Sequence, residues 1–183
     1  DPADIAWLMA CPLMSTVKRL NLVGSQMEAA ALQQLLASPI AAQLEALRLP
    51  MHNFGADGAQ ILFRADLPNL VDLDVSVASL DDLGSGGRWQ PTMGAEAAAA
   101  LASWPGLARL RHLDLTGNQI TEEGLSALVS SPNTSALRSL RIRSIADWDW
   151  EEGDGRPDLL MALAVAAPTL QLDEIDLSEC DLT

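Results

Sequence analysis

One spacing of apolar residues recurs along the chain, and it constrains the fold more than any other feature. Residues 110–120 read Leu-Arg-His-Leu-Asp-Leu-Thr-Gly-Asn-Gln-Ile, so Leu110, Leu113, Leu115, Asn118 and Ile120 fill every defined place of the frame L-x-x-L-x-L-x-x-N-x-L. The same frame is carried by Val17, Leu20, Leu22, Ser25 and Met27, and again by Leu44, Leu47, Leu49, His52 and Phe54. Further copies are Leu70, Leu73, Val75, Ala78 and Leu80, then Leu137, Leu140, Ile142 and Ile145, and last Leu172, Ile175, Leu177, Cys180 and Leu182. Self-similarity at a fixed period is the signature of a solenoid, in which one supersecondary unit is stacked repeatedly.

The middle leucine sets the period. Leu20 to Leu47 is 27 residues, Leu47 to Leu73 is 26 and Leu113 to Leu140 is 27. Leu73 to Leu113 is 40 and Leu140 to Ile175 is 35, so two repeats carry insertions, near 81–93 and 146–157. A second register agrees with the first. Pro12, Pro39, Pro105 and Pro132 each lie eight residues before a middle leucine, and Pro168 lies seven before Ile175. Proline cannot continue a helix, so each one is expected to stop a helix ahead of the next strand.

Apolar helical stretches fill the space between strand and proline, as in 28–37, 94–103 and 122–130. Gly58 and Gly124 fall at the same point of their repeats, where a helix start must pack closely on its neighbour. Thr121 suits a helix N-cap, with Glu122 and Glu123 in the favourable first turn. Each unit therefore reads as strand, turn and returning helix. Strands are expected near 19–22, 46–49, 72–75, 112–115, 139–142 and 174–177. They would form one parallel sheet roughly 24 Å wide at about 4.8 Å per step. The expected fold class is an α/β solenoid of about six repeats forming a single domain over 1–183, with helices on the convex side. Residues 1–11 read as the helix half of an earlier repeat, and both ends look cut from a longer solenoid.

This pattern resembles the leucine-rich-repeat superfamily, specifically its ribonuclease-inhibitor-like class of alternating strands and helices. Ala37-Ser38-Pro39, Ser130-Ser131-Pro132 and the run from Leu113 to Asn118 resemble bacterial members in particular. The asparagine place is substituted by Ser25, His52, Ala78, Ile145 and Cys180, which weakens the expected ladder of side-chain to backbone hydrogen bonds. The resemblance implies a curved scaffold that binds a protein partner on its concave sheet and adjacent loops. It also brings in Ran GTPase-activating proteins, which share the repeat class and carry a catalytically relevant arginine loop. Arg64, Arg88 and Arg156 would be candidates for that role by loop position alone. A structural spacer within a larger protein is a third reading.

Alternation along each strand places a set of side chains on the concave face. Its central column runs Asn21, Arg48, Asp74, Asp114, Arg141, Asp176, with His112 and Arg143 beside it. A polar recognition face follows, with Arg141 and Arg143 set against Asp72, Asp74 and Asp114; a merely solvated sheet is the alternative. The insertions hold Trp89, Trp148 and Trp150 on one expected rim, and tryptophan is enriched in binding hot spots. These side chains could instead fold back over the base of their own insertions. Trp7 and Trp104 fall in helical stretches and are expected to pack in the core or between helices.

Composition and charge narrow the partners. The net charge of −14 repels phosphate backbones and anionic membrane, and favours solubility and a basic partner. No apolar run is long enough to span a bilayer. Cys11 and Cys180 would be held apart by the solenoid, so no disulfide is expected. A cytoplasmic setting fits, and a secreted or surface location fits equally a leader that has been removed from a chain opening on Asp1-Pro2.

Catalysis is not expected. Asp74 and Asp114 would be neighbours, but no nucleophile, metal triad or phosphate loop accompanies them. Gly84-Ser85-Gly86-Gly87 lacks the Lys-Ser/Thr of a P-loop, and His52 and His112 lack metal-ligand spacing. The run Asp147–Gly155 has the acidic spacing of a calcium loop, but its glycine is one place late and no helix pair flanks it. It reads as a solvated acidic loop, and no cofactor is expected.

Overall fold

The frame leucines become a continuous apolar layer. In a computed structural model, residues 2–24, 27–50, 55–77, 95–118, 120, 122–143, 159–166 and 170–178 are described. The elements alternate as α1 (Pro2–Ala10), β1 (Arg19–Asn21), α2 (Ala29–Leu36), β2 (Ala46–Arg48), α3 (Gly55–Leu62) and β3 (Asp72–Asp74). They continue as α4 (Ala95–Ser103), β4 (His112–Asp114), α5 (Glu122–Val129), β5 (Ser139–Arg141), α6 (Leu159–Ala166) and β6 (Glu174–Asp176). The six strands form one parallel sheet in sequence order.

Register is identical at every step. Leu20 pairs with Leu47, Leu47 with Leu73, Leu73 with Leu113, Leu113 with Leu140, and Leu140 with Ile175. Period-two alternation then sends all these side chains to one side, where the helices cover them. Leu47, Leu73 and Leu140 are fully buried together with Leu32, Leu35, Leu101, Leu125 and Leu128 from the helices. Successive helices pack on one another in order from α1 to α6. Ile175 departs from this layer at 42% exposure.

The assigned strands stop one residue earlier than the frame suggests. The ladder nevertheless runs one step further: the amides of Leu22, Leu49, Val75, Leu115 and Ile142 donate to Arg48, Asp74, Asp114, Arg141 and Asp176 carbonyls at 2.7–3.0 Å. At the other end of each strand, one carbonyl accepts two consecutive amides of the next repeat. Lys18 serves Glu45 and Ala46, Glu45 serves Val71 and Asp72, Val71 serves Arg111 and His112, Arg111 serves Arg138 and Ser139, and Arg138 serves Asp173 and Glu174.

The prolines close the helices but do more than stop them. Pro12, Pro105 and Pro132 each open a short 3-10 turn, where their missing N–H is no loss and their fixed φ suits the first position. The turns between helix and strand also carry side chains that reach back one repeat. Gln43 donates to the Met14 and Val17 carbonyls, Asn69 to Ala42, and Asn133 to Ala102 and Trp104.

Asn118 performs the role the frame assigns to it. It is buried, and its Nδ2 donates to Val75 of the preceding repeat at 3.0 Å and to Leu115 at 3.1 Å. Gly24 and Gly117 share one place in their repeats, four after the middle leucine, and both take positive φ, 67° and 73°. Only glycine adopts that backbone routinely, so the turn leaving the strand is sharp there. Gly58 and Gly124 are buried, as close packing requires. The substituted asparagine places Ser25, His52, Ala78, Ile145 and Cys180, and the cap at Thr121, lie outside the described residues.

The two helical tryptophans differ from each other. Trp104 is buried as expected, whereas Trp7 is 79% exposed. The expectation that Trp7 packs in the core fails for a geometric reason. Helix α1 meets α2 and buries Ile5, and a residue two places along a helix points about 200° away.

Candidate protein-binding face

The open side of the sheet presents three rows of side chains, one from each outward strand position. The first row is Arg19, Ala46, Asp72, His112, Ser139 and Glu174. The second is Asn21, Arg48, Asp74, Asp114, Arg141 and Asp176, the column anticipated from the sequence. The third lies just past the strands and includes Ser76, Thr116 and Arg143. Ala46 and Ser139 are buried even here, being small residues between larger neighbours. Against four arginines stand five acids (Asp72, Asp74, Asp114, Glu174, Asp176), so the face is nearly charge-balanced although the chain carries −14. The acidic surplus lies elsewhere on the molecule.

The arginines are engaged within the face. Arg48 donates to Asp72 at 2.9 Å, and this bond raises the Arg48 pKa further. Arg141 donates to Glu174 at 3.1 Å and stands 3.9 Å from Asp114. The Arg141 guanidinium, followed by the Ser139 hydroxyl, holds the Glu174 carboxyl below its ordinary range. Of the expected opposition of Arg141 and Arg143 to Asp72, Asp74 and Asp114, the approach of Arg141 to Asp114 is present, but Arg48 takes Asp72 and Arg141 bonds to Glu174. The register partners Asp74, Asp114 and Asp176 each commit an oxygen to a turn of their own strand, so the guanidiniums bond diagonally to Asp72 and Glu174 on adjoining strands. Arg143 lies half-buried beyond β5 and contributes to holding the Asp176 carboxyl below its ordinary range, after the larger effect of hydrogen bonds from Ser178.

The aspartates of the column have a second task that the sequence reading missed. One oxygen of Asp74 accepts the Ser76 amide at 3.0 Å and its hydroxyl at 2.7 Å. Asp114 accepts the Thr116 amide at 2.9 Å, and Asp176 accepts the Ser178 amide and hydroxyl. Each is an Asx-type turn that ends its strand, and Asn21 does the same for Val23 at 3.1 Å. The signal was available in the sequence: Asp-x-Ser/Thr recurs at 74–76, 114–116 and 176–178.

A shallow groove of about 260 Å³ crosses the middle of the face. Its walls include Arg48, Asp72, Asp74, His112, Asp114, Arg141 and Glu174, and its floor is the backbone at Leu73 and Leu113, whose side chains are buried on the helix side. The structure thus brings Arg48, Asp74, His112, Asp114 and Arg141 together. Arg143 stands outside the groove. Trp89, Trp148 and Trp150, with both insertions, lie outside the described residues. Arg64 is exposed in the turn after α3, while Arg88 and Arg156 lie outside the described residues. Among the described residues, no group of three His, Cys, Asp or Glu side chains is placed to hold a metal ion, and no helix is long and apolar enough to cross a membrane.

Acidification probes the Arg141–Glu174 pair. Because the folded-state pKa of Glu174 is depressed, its contribution is complete above the ordinary glutamate range and is lost as pH falls through the lowered midpoint. Carboxyl-carbon NMR on Arg141→Ala should show the Glu174 midpoint moving up towards its ordinary value. An unmoved midpoint would mean that Ser139 alone holds it down.

Among the described residues, six helices alternating with six strands on one leucine frame, the strands joined in a single parallel sheet, define a leucine-rich-repeat solenoid, a class that generally serves as a protein-interaction module. Residues 109–129, which hold the one complete copy of the frame, match the Leucine Rich repeat family. The chain matches no curated protein.

Proposed function

We propose that this chain is a non-catalytic scaffold that binds a protein partner through the open face of its sheet and the adjoining rim. The observation that carries this reading is the central groove, where Arg48, Asp74, His112, Asp114 and Arg141 converge on the open face of the sheet. A sheet in a solenoid needs only its buried side to fold, so charged side chains concentrated on the other side are free to serve recognition. Arg143 extends the polar surface past β5, and Trp89, Trp148 and Trp150 are assigned to the rim through their position in the two insertions. Self-association through the outer repeats is a further contact of the same kind.

The test is capture of a bound partner by Arg141→Ala and by Trp148→Ala, with far-UV circular dichroism to establish that both remain folded. Each should weaken capture severalfold, as loss of a contact residue does. Wild-type capture by both folded variants would remove these residues from the binding surface.

A further inference from the structure

The column at the centre of the groove reads Arg48, Asp74, Asp114, Arg141 across four paired strands. Its charges therefore run plus, minus, minus, plus. Two like charges directly opposite on neighbouring strands are unfavourable, so the Asp74–Asp114 pair calls for an explanation. The fold supplies only half of one. Each carboxylate uses an oxygen to end its strand, but Asn21 ends β1 in the same way without any charge. The turn needs a side-chain oxygen and does not need an anion. The flanking arginines do not neutralise the pair fully, since Arg48 bonds to Asp72, and Arg141 bonds to Glu174 while remaining 3.9 Å from Asp114.

Building on the proposed protein-binding role, we infer that the partner crosses this groove as an extended segment of the form acid–x–base–x–acid. The basic side chain sits between Asp74 and Asp114, and the two acidic side chains meet Arg48 and Arg141. Geometry supports the spacing. From the midpoint of the aspartate pair to either arginine column is one and a half strand spacings, about 7 Å. Side chains on one side of an extended chain recur every two residues, also at about 7 Å. A guanidinium has five N–H donors, so Arg48 and Arg141, each about half exposed, keep donors for an incoming carboxylate.

The test uses the 183-residue chain, isotope-labelled, and three blocked synthetic peptides. They are Gly-Glu-Ala-Lys-Ala-Glu-Gly, its charge-inverted form Gly-Lys-Ala-Glu-Ala-Lys-Gly, and a neutral form with Gln at all three charged places. NMR titration should show the first peptide shifting the amides of Ser76, Thr116 and Arg141. It should bind severalfold tighter than the inverted peptide, with the neutral form weakest. That order runs against the protein's net charge of −14, which attracts the cationic inverted peptide.

The double variant Asp74→Asn with Asp114→Asn keeps both turns and removes both charges. It should lose roughly tenfold in affinity for the first peptide, from two exposed ion pairs, and retain the native Ser76 and Thr116 amide positions. Equal binding of the first and inverted peptides, no shift with any of them, or a preference that survives in the double variant would each overturn the inference. Shifts on the open face without charge preference would do so while leaving the protein-binding reading intact. That reading is judged separately by capture with Arg141→Ala.

Discussion

Trp104→Ala should destabilise the protein by about 3–5 kcal/mol, lowering the thermal midpoint by on the order of 10 °C. Trp104 is 2% exposed and stands where the end of α4 meets the turn following α3. Its indole N–H donates to the Ala65 carbonyl at 2.9 Å, and its ring meets Phe63 at a centroid separation of 5.9 Å. Truncation would open a cavity and leave that carbonyl without its donor. Trp104→Phe keeps much of the volume and removes only the donor, so it should be the milder change. Gly106 lies against the same ring: a Cβ there would come within 2.1–2.6 Å of it. Gly106→Ala should therefore destabilise the wild type and do much less in the Trp104→Ala background. Calorimetry on the four-member cycle would read this coupling. Additive effects would show that the ring does not exclude a side chain at 106.

Leu113→Ala should cost about 2–5 kcal/mol, because the side chain is buried at the centre of the leucine layer between Leu73 and Leu140. Ile175 holds the same place in its repeat but is 42% exposed. Ile175→Ala should cost distinctly less, since partial exposure means less burial to lose. Urea unfolding of the two variants side by side tests whether position in the stack, rather than place in the repeat, sets the energy. Equal losses would contradict the difference in burial.

The repeat layer was legible because its cause is local and periodic. Leu20, Leu47, Leu73, Leu113 and Leu140 recur at nearly constant spacing, and one apolar position per strand is enough to fix sheet order and register. The central column was legible for the same reason, since alternation assigns each strand residue a side. What the sequence did not disclose were choices made between neighbours. Arg48 and Arg141 had several acids within reach on adjoining strands, and the bonds go diagonally to Asp72 and Glu174 because the aspartates directly opposite are engaged in strand-ending turns. The strand-ending role of Asp74 and Asp114 was hidden because an outward aspartate reads first as surface charge. Trp7 was misassigned because helical position alone does not say which face of the first helix finds a neighbour.

The constant register has an evolutionary consequence. Each outward strand position is structurally equivalent from one repeat to the next, while the leucine beneath it holds the stack. Core and face are therefore nearly independent variables. The pattern of charges can be rewritten one strand at a time, like beads changed on a fixed string, with little demand on the layer below. Aspartate in β3 and β4 and arginine in β2 and β5 occupy equivalent seats, so a new specificity is within reach of single substitutions, provided the aspartate seats keep the side-chain oxygen that ends their strands.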